Sequence, residues 1–123
     1  MPLPLVAVVD DDASVRRALM RLLQSAGLRV LTYASATEFL DTGTSSNPEC
    51  LILDIHLGGM SGLELLSQLR GSGHDLPVLI ITAYDDSQAR EAARQRGCKA
   101  YLLKPLDAQV LLQEVLGAVK SAA

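Results

Sequence analysis

The chain has no tryptophan, three tyrosines, one phenylalanine, two cysteines and two histidines among its 123 residues. With aromatics at 3% and apolar residues at 49%, the core must be aliphatic and alanine-rich, a composition common in sheets that helices cover on both faces. Cys50 and Cys98 stand far apart without a C-x-x-C pair. Neither a disulfide framework nor a zinc site is indicated, and a reducing compartment fits. A clustered surplus of basic residues is missing too: a net charge of −3 and a pI near 5.2 argue against a surface for nucleic acid or anionic membrane. The densest basic stretch, Arg90, Arg94, Arg96 and Lys99 beside Glu91, has the spacing of a solvated helical face, with a docking patch as the minor alternative. The opening MPLPLVAVV lacks a basic n-region, and no apolar run approaches the ~20 residues of a membrane span, so a cytoplasmic location is expected. At 13.1 kDa, residues 1–123 suffice for one domain and one core.

What is present is a regular alternation. Four runs dense in Val, Ile and Leu, at 5–10, 50–54, 77–82 and 100–104, read as strands buried on both faces, and a weaker run at 29–33 reads as an edge strand. Between them, Val15, Leu19, Leu22, Leu23 and Ala26 share a helical face that Gly27 closes. Ser35 with Glu38, and Ser61 with Glu64, have capping-box spacing and open a second and a third helix. A fourth helix, capped by Asp85, Asp86 or Ser87, should run to Arg96, and a fifth, capped by Asp107, should carry Val110, Leu111, Val115 and Val119. Residues 42–49, TGTSSNPE, read as a polar loop. The expected fold is α/β, a three-layer (βα)5 arrangement around a doubly wound, parallel, five-stranded sheet. Ligands of such sheets gather outside the carboxyl ends of the strands.

Those ends agree with one another. Asp10 and Asp11 follow the first strand, Asp54 ends the third, Thr82 the fourth and Lys104 the fifth. Adjacent carboxylates repel, and each raises its neighbour's pKa, so three in a row at Asp10, Asp11 and Asp12 call for a cation or a helix cap. Asp12 suits the cap. The acids Asp10, Asp11 and Asp54 suit Mg²⁺, a hard ion that takes oxygen ligands and few carboxylates, and one acid is left as a nucleophile toward phosphoryl groups.

The segments VVDDD, LILDIHLGGMSG, IITAYDD and YLLKPLD, in that order, resemble the receiver domain of two-component response regulators over nearly the whole chain. The resemblance implies a flavodoxin-like strand order 2-1-3-4-5, with Asp54 accepting a phosphoryl group from a phosphohistidine of a sensor histidine kinase or a phosphotransfer protein. It implies Mg²⁺ held by Asp11, Asp54 and the main-chain carbonyl of His56, with Asp10 acting mainly through a metal-bound water. Lys104 would pair with one phosphoryl oxygen and Thr82 would close on another. Tyr101 would turn inward with Thr82, changing a surface of helix 4, strand 5 and helix 5. The Lys104-Pro105 bond resembles the family's cis peptide. The phrasing VDDD…VRRAL and KPLD resembles the subgroup whose longer members carry a C-terminal helix-turn-helix output domain; a phosphorylation-dependent homodimer is a further expected partner. One departure is Gly58, followed by Gly59, where the family usually has proline.

Two alternatives come from other classes. Asp10-x-Asp12 also resembles the nucleophile motif of haloacid-dehalogenase-type phosphatases, but their further acidic pair follows the lysine, whereas Asp54 precedes Lys104. A docking receiver without phosphate turnover would normally lack the acceptor or the lysine, and this chain has both.

Overall fold

The computed structural model describes residues 3–122. Five strands, β1 Leu5–Val9, β2 Arg29–Tyr33, β3 Cys50–Asp54, β4 Val78–Thr82 and β5 Ala100–Leu103, pair in parallel in the order β2-β1-β3-β4-β5. The helices α1 Ala13–Ser25, α2 Ala36–Glu38, α3 Gly62–Gly71, α4 Ser87–Gln95 and α5 Ala108–Ala122 connect them. Side chains alternate across the pleat, so one run serves two cores. Val6 and Val8 of β1 face Leu19 and Leu23 of α1 with Leu111 and Val115 of α5, and Ala7 and Val9 join Phe39, Leu65, Leu66 and Leu69 on the other side. No helix among the described residues is long and apolar enough to cross a membrane.

The expected caps are in place. The Asp12 carboxylate accepts from the Ser14 and Val15 amides, Ser35 from Glu38, Ser61 from Glu64, and Asp107 from Val110. Of the three residues considered for α4, Asp86 is the one that caps it, accepting from Gln88 and Ala89. Such caps satisfy amides that have no partner within the helix.

Two expectations need correction. The run at 100–104 is not buried on both faces: all of β5 is partly exposed and Leu103 is exposed, because the strand order leaves β5 at the second edge of the sheet. The stretch 42–49 is not all loop. After α2 the chain widens into a π-turn at Phe39–Gly43 and tightens into a 3₁₀ turn at Thr44–Ser46, so only 47–49 are free of helical structure. The reason is local. A side chain at Gly43 would overlap the Phe39 ring, so glycine lets that ring fill the core beside Tyr33, while Ser45 and Ser46 donate to carbonyls three residues back and keep the polar stretch coiled.

Arg70 joins two helix ends. Its guanidinium donates to the carbonyls of His74 and Leu76 behind α3 and of Arg96 and Gly97 behind α4, at 2.9–3.1 Å. The Arg96 and Gly97 carbonyls close the C-terminus of α4, where carbonyls carry partial negative charge, and those of His74 and Leu76 belong to the turn between α3 and β4, so one planar cation with five donors joins that turn to the end of α4. Arg70→Met should lower unfolding stability by about 2 kcal/mol, since hydrogen bonds to a charged donor contribute about 1.5–3 kcal/mol. Arg70→Lys should recover little of that, because a point ammonium cannot reach carbonyls in several directions. Urea denaturation of the three proteins decides; equal midpoints would show that the clamp contributes nothing.

Candidate functional site

Register places the site. Val9 lies opposite Leu53, so Asp10 and Asp54, each one residue farther on, come level at the carboxyl end of the sheet. Asp54 lies opposite Ile81 and Thr82 opposite Leu103, which brings Thr82 and Lys104 to the same edge. Asp10, Asp54 and Thr82 are the buried polar residues among those described. Asp11, exposed, stands beside them, and a carboxylate oxygen from each of Asp10, Asp11 and Asp54 lies within 4.8 Å of the other two.

Each carboxylate is oriented by its own turn. Asp10 accepts from the Asp12 amide at 2.9 Å and Asp54 from the His56 amide at 3.0 Å. Their remaining oxygens meet on one cation: Lys104 Nζ is 3.0 Å from Asp10 Oδ2 and 3.1 Å from Asp54 Oδ2. The bond from Lys104 to Pro105, which follows, is cis. Arg16, in the first turns of α1, donates to the Asp10 carbonyl at 2.7 Å and fixes the end of β1 from behind. Below Asp54, Gly62 packs so closely that a side chain there would strike the Asp54 carbonyl and the Ile55 backbone, which draws the loop 55–61 tightly over the strand end. Within that loop Gly59 has φ +73°, a left-handed conformation that glycine adopts without strain, so the second glycine of the pair has a backbone reason.

Burial pushes the Asp10 carboxyl above its usual value; the Asp12 amide and the Lys104 ammonium oppose the shift, and the Asp54 charge adds to it. Burial alone would lower the Lys104 ammonium, but the hydrogen bonds and charges of Asp10 and Asp54 together raise it. Lys104 is thus charged throughout the physiological range, and Asp10 bears a net cost for its ionisation. Three carboxylates with oxygen donors only, two of them buried, fit a hard divalent cation such as Mg²⁺.

Two aromatic contacts flank the cluster. The His56 and Tyr84 rings, two residues beyond Asp54 and Thr82, meet edge to face with centroids 4.6 Å apart. Tyr84 remains 61% exposed and its amide donates to Thr82 Oγ1, which ties the pair to the end of β4. On the far side, Tyr101 packs at the rim of the core that includes Ala89 and Ala93, and its hydroxyl is enclosed without a hydrogen-bond partner. The Arg90 guanidinium lies over the Tyr101 ring at 4.6 Å from its centroid. The sequence spacing reads Arg90 as part of a solvated basic face and carries no signal for Arg16. Arg94 does behave that way, pairing with Glu91, but Arg90 turns to Asp85 and Tyr101. Asp12 is committed to the α1 cap, with Ser14 Oγ and two amides donating to its carboxylate, which leaves the Asp10-x-Asp12 phosphatase reading without its second acid.

Comparison with known proteins gives the same family throughout. The sequence model described as response regulator receiver domain matches residues 6–116. The transcriptional regulatory protein TdiR of Thauera aromatica is 41% identical over 114 residues, covering 93% of this chain and 50% of that protein. The DNA-binding transcriptional regulator NtrC of Klebsiella pneumoniae is 45% identical over 100 residues, 81% of this chain and 21% of that one. The chain therefore spans half or less of the length of these relatives. Among solved structures, a response regulator receiver protein from Burkholderia phymatum superposes with a TM-score of 0.83 at 43% identity, covering 95% of each chain.

The raised Asp10 value has a measurable sign. The folded chain holds that proton more tightly than the unfolded chain, so stability falls as pH rises from the ordinary value of 3.8 through the raised one. In the presence of a chelator, Asp10→Asn should be more stable than the parent at neutral pH, and the advantage should shrink as pH falls toward 3.8. Chemical denaturation across that range checks it; an advantage independent of pH would refute the burial cost.

Proposed function

The chain belongs to the response regulator receiver family, and from that membership we propose that it is a phospho-accepting switch, with Asp54 as the acceptor. The observation that carries this reading is the meeting of Asp10, Asp54 and the Lys104 ammonium at one strand edge beside Asp11 and Thr82. An Asp54 carboxylate oxygen forms the new O–P bond as the P–N bond to the phosphohistidine of a sensor histidine kinase or phosphotransfer protein breaks; the donor imidazole leaves with the electron pair. Positioned cations are what such a transfer needs, since its demands are charge neutralisation and alignment. Lys104 supplies one fixed positive charge to the phosphoryl oxygens, and the Thr82 hydroxyl supplies a donor to another.

Asp11, Asp54 and the His56 carbonyl would hold Mg²⁺, with Asp10 beside them. When bound, the ion neutralises charge on the phosphoryl oxygens and aligns the donor. Loss of the label by hydrolysis is a slow reaction of the same site.

We take residues 1–123 as a single receiver domain with a cytoplasmic role. Rearrangement of Thr82 and Tyr101 alters the face made by α4, β5 and α5 and biases two existing arrangements through the contacts of the phosphoryl group. The outputs this supports are phosphorylation-dependent homodimerisation and control of transcription through a C-terminal helix-turn-helix domain outside this chain. Similarity to the transcriptional regulatory protein TdiR and the DNA-binding transcriptional regulator NtrC supports control of transcription. The receiver itself makes no direct contact with nucleic acid.

A small phosphodonor or beryllofluoride should label one residue per chain, and only with Mg²⁺ present, as read by intact mass. Asp54→Ala and Asp11→Ala should each abolish labelling; labelling that survives the first removes the acceptor assignment, and labelling that survives the second removes the metal role. His56→Ala combined with Tyr84→Ala should shorten the lifetime of the phosphoryl group several-fold by opening the path of the attacking water, and an unaltered decay rate would count against shielding. Sedimentation with and without beryllofluoride should show a mass increase on activation; equal masses well above micromolar concentration reject dimerisation as the output.

A further inference from the structure

Nothing polar inside the protein holds Tyr101 where it is. Its hydroxyl is enclosed with no hydrogen-bond partner, a position that disfavours the inward ring because a buried unpaired hydroxyl forfeits its hydration. The neighbouring core along α4 is supplied by Ala89 and Ala93, whose side chains offer little grip. Among the described residues a directed contact to the ring comes from the Arg90 guanidinium over its face. Arg90 is itself anchored, since its Nη2 lies 3.2 Å from Asp85 Oδ1. Asp85 sits in the turn between β4 and α4, three residues after Thr82 and beside Tyr84, whose amide donates to Thr82 Oγ1. The chain of contacts Thr82, Tyr84, Asp85, Arg90, Tyr101 thus runs from the site to the ring along one turn and the first turn of α4. Arg94 takes Glu91, the carboxylate within α4, so Glu91 does not compete for Arg90.

We propose that Arg90, anchored by Asp85, is a positioning residue that holds the Tyr101 ring inward before any phosphoryl group arrives, so that an ionic contact on α4 sets the resting occupancy of the switched surface. The inference rests on the switch role given above to Thr82 and Tyr101 and adds what biases it at rest. The Arg90 and Asp85 side chains are 47% and 69% exposed, so dissolved ions reach the pair and screen it. The resting balance therefore shifts outward as salt rises. A phosphoryl group at Asp54 acts on the same ring from the other side, through Thr82, and restores the inward position when the latch is weak.

The test is the ring resonance of Tyr101 by NMR in the full chain, with Tyr33 and Tyr84 as internal references. Without beryllofluoride and at low salt, the parent should show Tyr101 near its activated position. Arg90→Met, which keeps length and loses charge, should lower the inward-to-outward ratio about two- to fivefold, the worth of an exposed cation–π contact, and should abolish the salt dependence. Arg90→Lys should retain part of that dependence, and Asp85→Asn, which leaves Arg90 in place, should reproduce the weakening. An unchanged ratio in Arg90→Met, or a salt dependence that survives it, overturns the proposal. If Tyr101 responds to Arg90→Met and to salt but beryllofluoride fails to restore the inward ring in Arg90→Met, the latch stands and the phosphoacceptor reading falls.

Discussion

One ammonium group lies between two buried carboxylates, and the carboxyl end of this sheet is arranged around it. Asp10 and Asp54 cannot both be ionised and withdrawn from water without a cation at hydrogen-bond distance, and Lys104 reaches both. Loss of that shared cation is the costly change, typically about 3–5 kcal/mol, because buried carboxylate charge is then left unpaired, whereas loss of one acid leaves Lys104 paired with the other. Lys104 comes from the far edge of the sheet and Asp10 from the strand next to the opposite edge, so the ion cluster also fixes how far β5 may slide against β4 and β1 against β3. A slip of one residue on β1, β3 or β5 would reverse its side chains and take the acid or the ammonium out of the cluster.

The same cluster explains why so much of the site was legible in the sequence. Strands buried on both faces announce themselves as unbroken apolar runs, and the residue that ends each run is placed by parallel pairing at a common edge. Asp10, Asp54, Thr82 and Lys104 could therefore be brought together by counting from the runs alone, and the caps at Asp12, Ser35, Ser61 and Asp107 follow from spacing in the same way. What pattern does not carry is the order of strands among themselves. Periodicity left β5 looking like an interior strand, and its partial exposure comes from tertiary position, which no local signal encodes.

The remaining misses share a cause in long side chains and small residues acting at a distance. Arg70 and Arg90 sit at ordinary helix-surface positions, and their partners are carbonyls and a ring from other elements, 26 and 27 residues away for the α4 end and 11 for Tyr101. A flexible guanidinium can reach water, a carboxylate, a carbonyl or an aromatic face, and sequence spacing favours none of these. Gly43 is the converse case. Its lack of a side chain makes room for Phe39, a fit set by the volume of the core rather than by turn chemistry.

These two arginines also divide α4 between them. Arg70 ties the carbonyls of Arg96 and Gly97, at the C-terminal end, to the end of α3 through hydrogen bonds that are part of the folded frame. At the N-terminal end the contacts are of another kind: an exposed ion pair from Arg90 to Asp85 and a cation over a ring, each weak and open to solvent. The helix is thus held firmly at one end and lightly at the other. The light end is the one joined to Thr82 through four residues of turn. Ala93 is buried toward the firm end and Ala89 partly buried toward the light one, and such small side chains present little surface to interlock. The charge cluster at Lys104 ties the strand ends together, whereas α4 is held to its neighbours by alanines, by its own Arg90 and by Arg70 of α3.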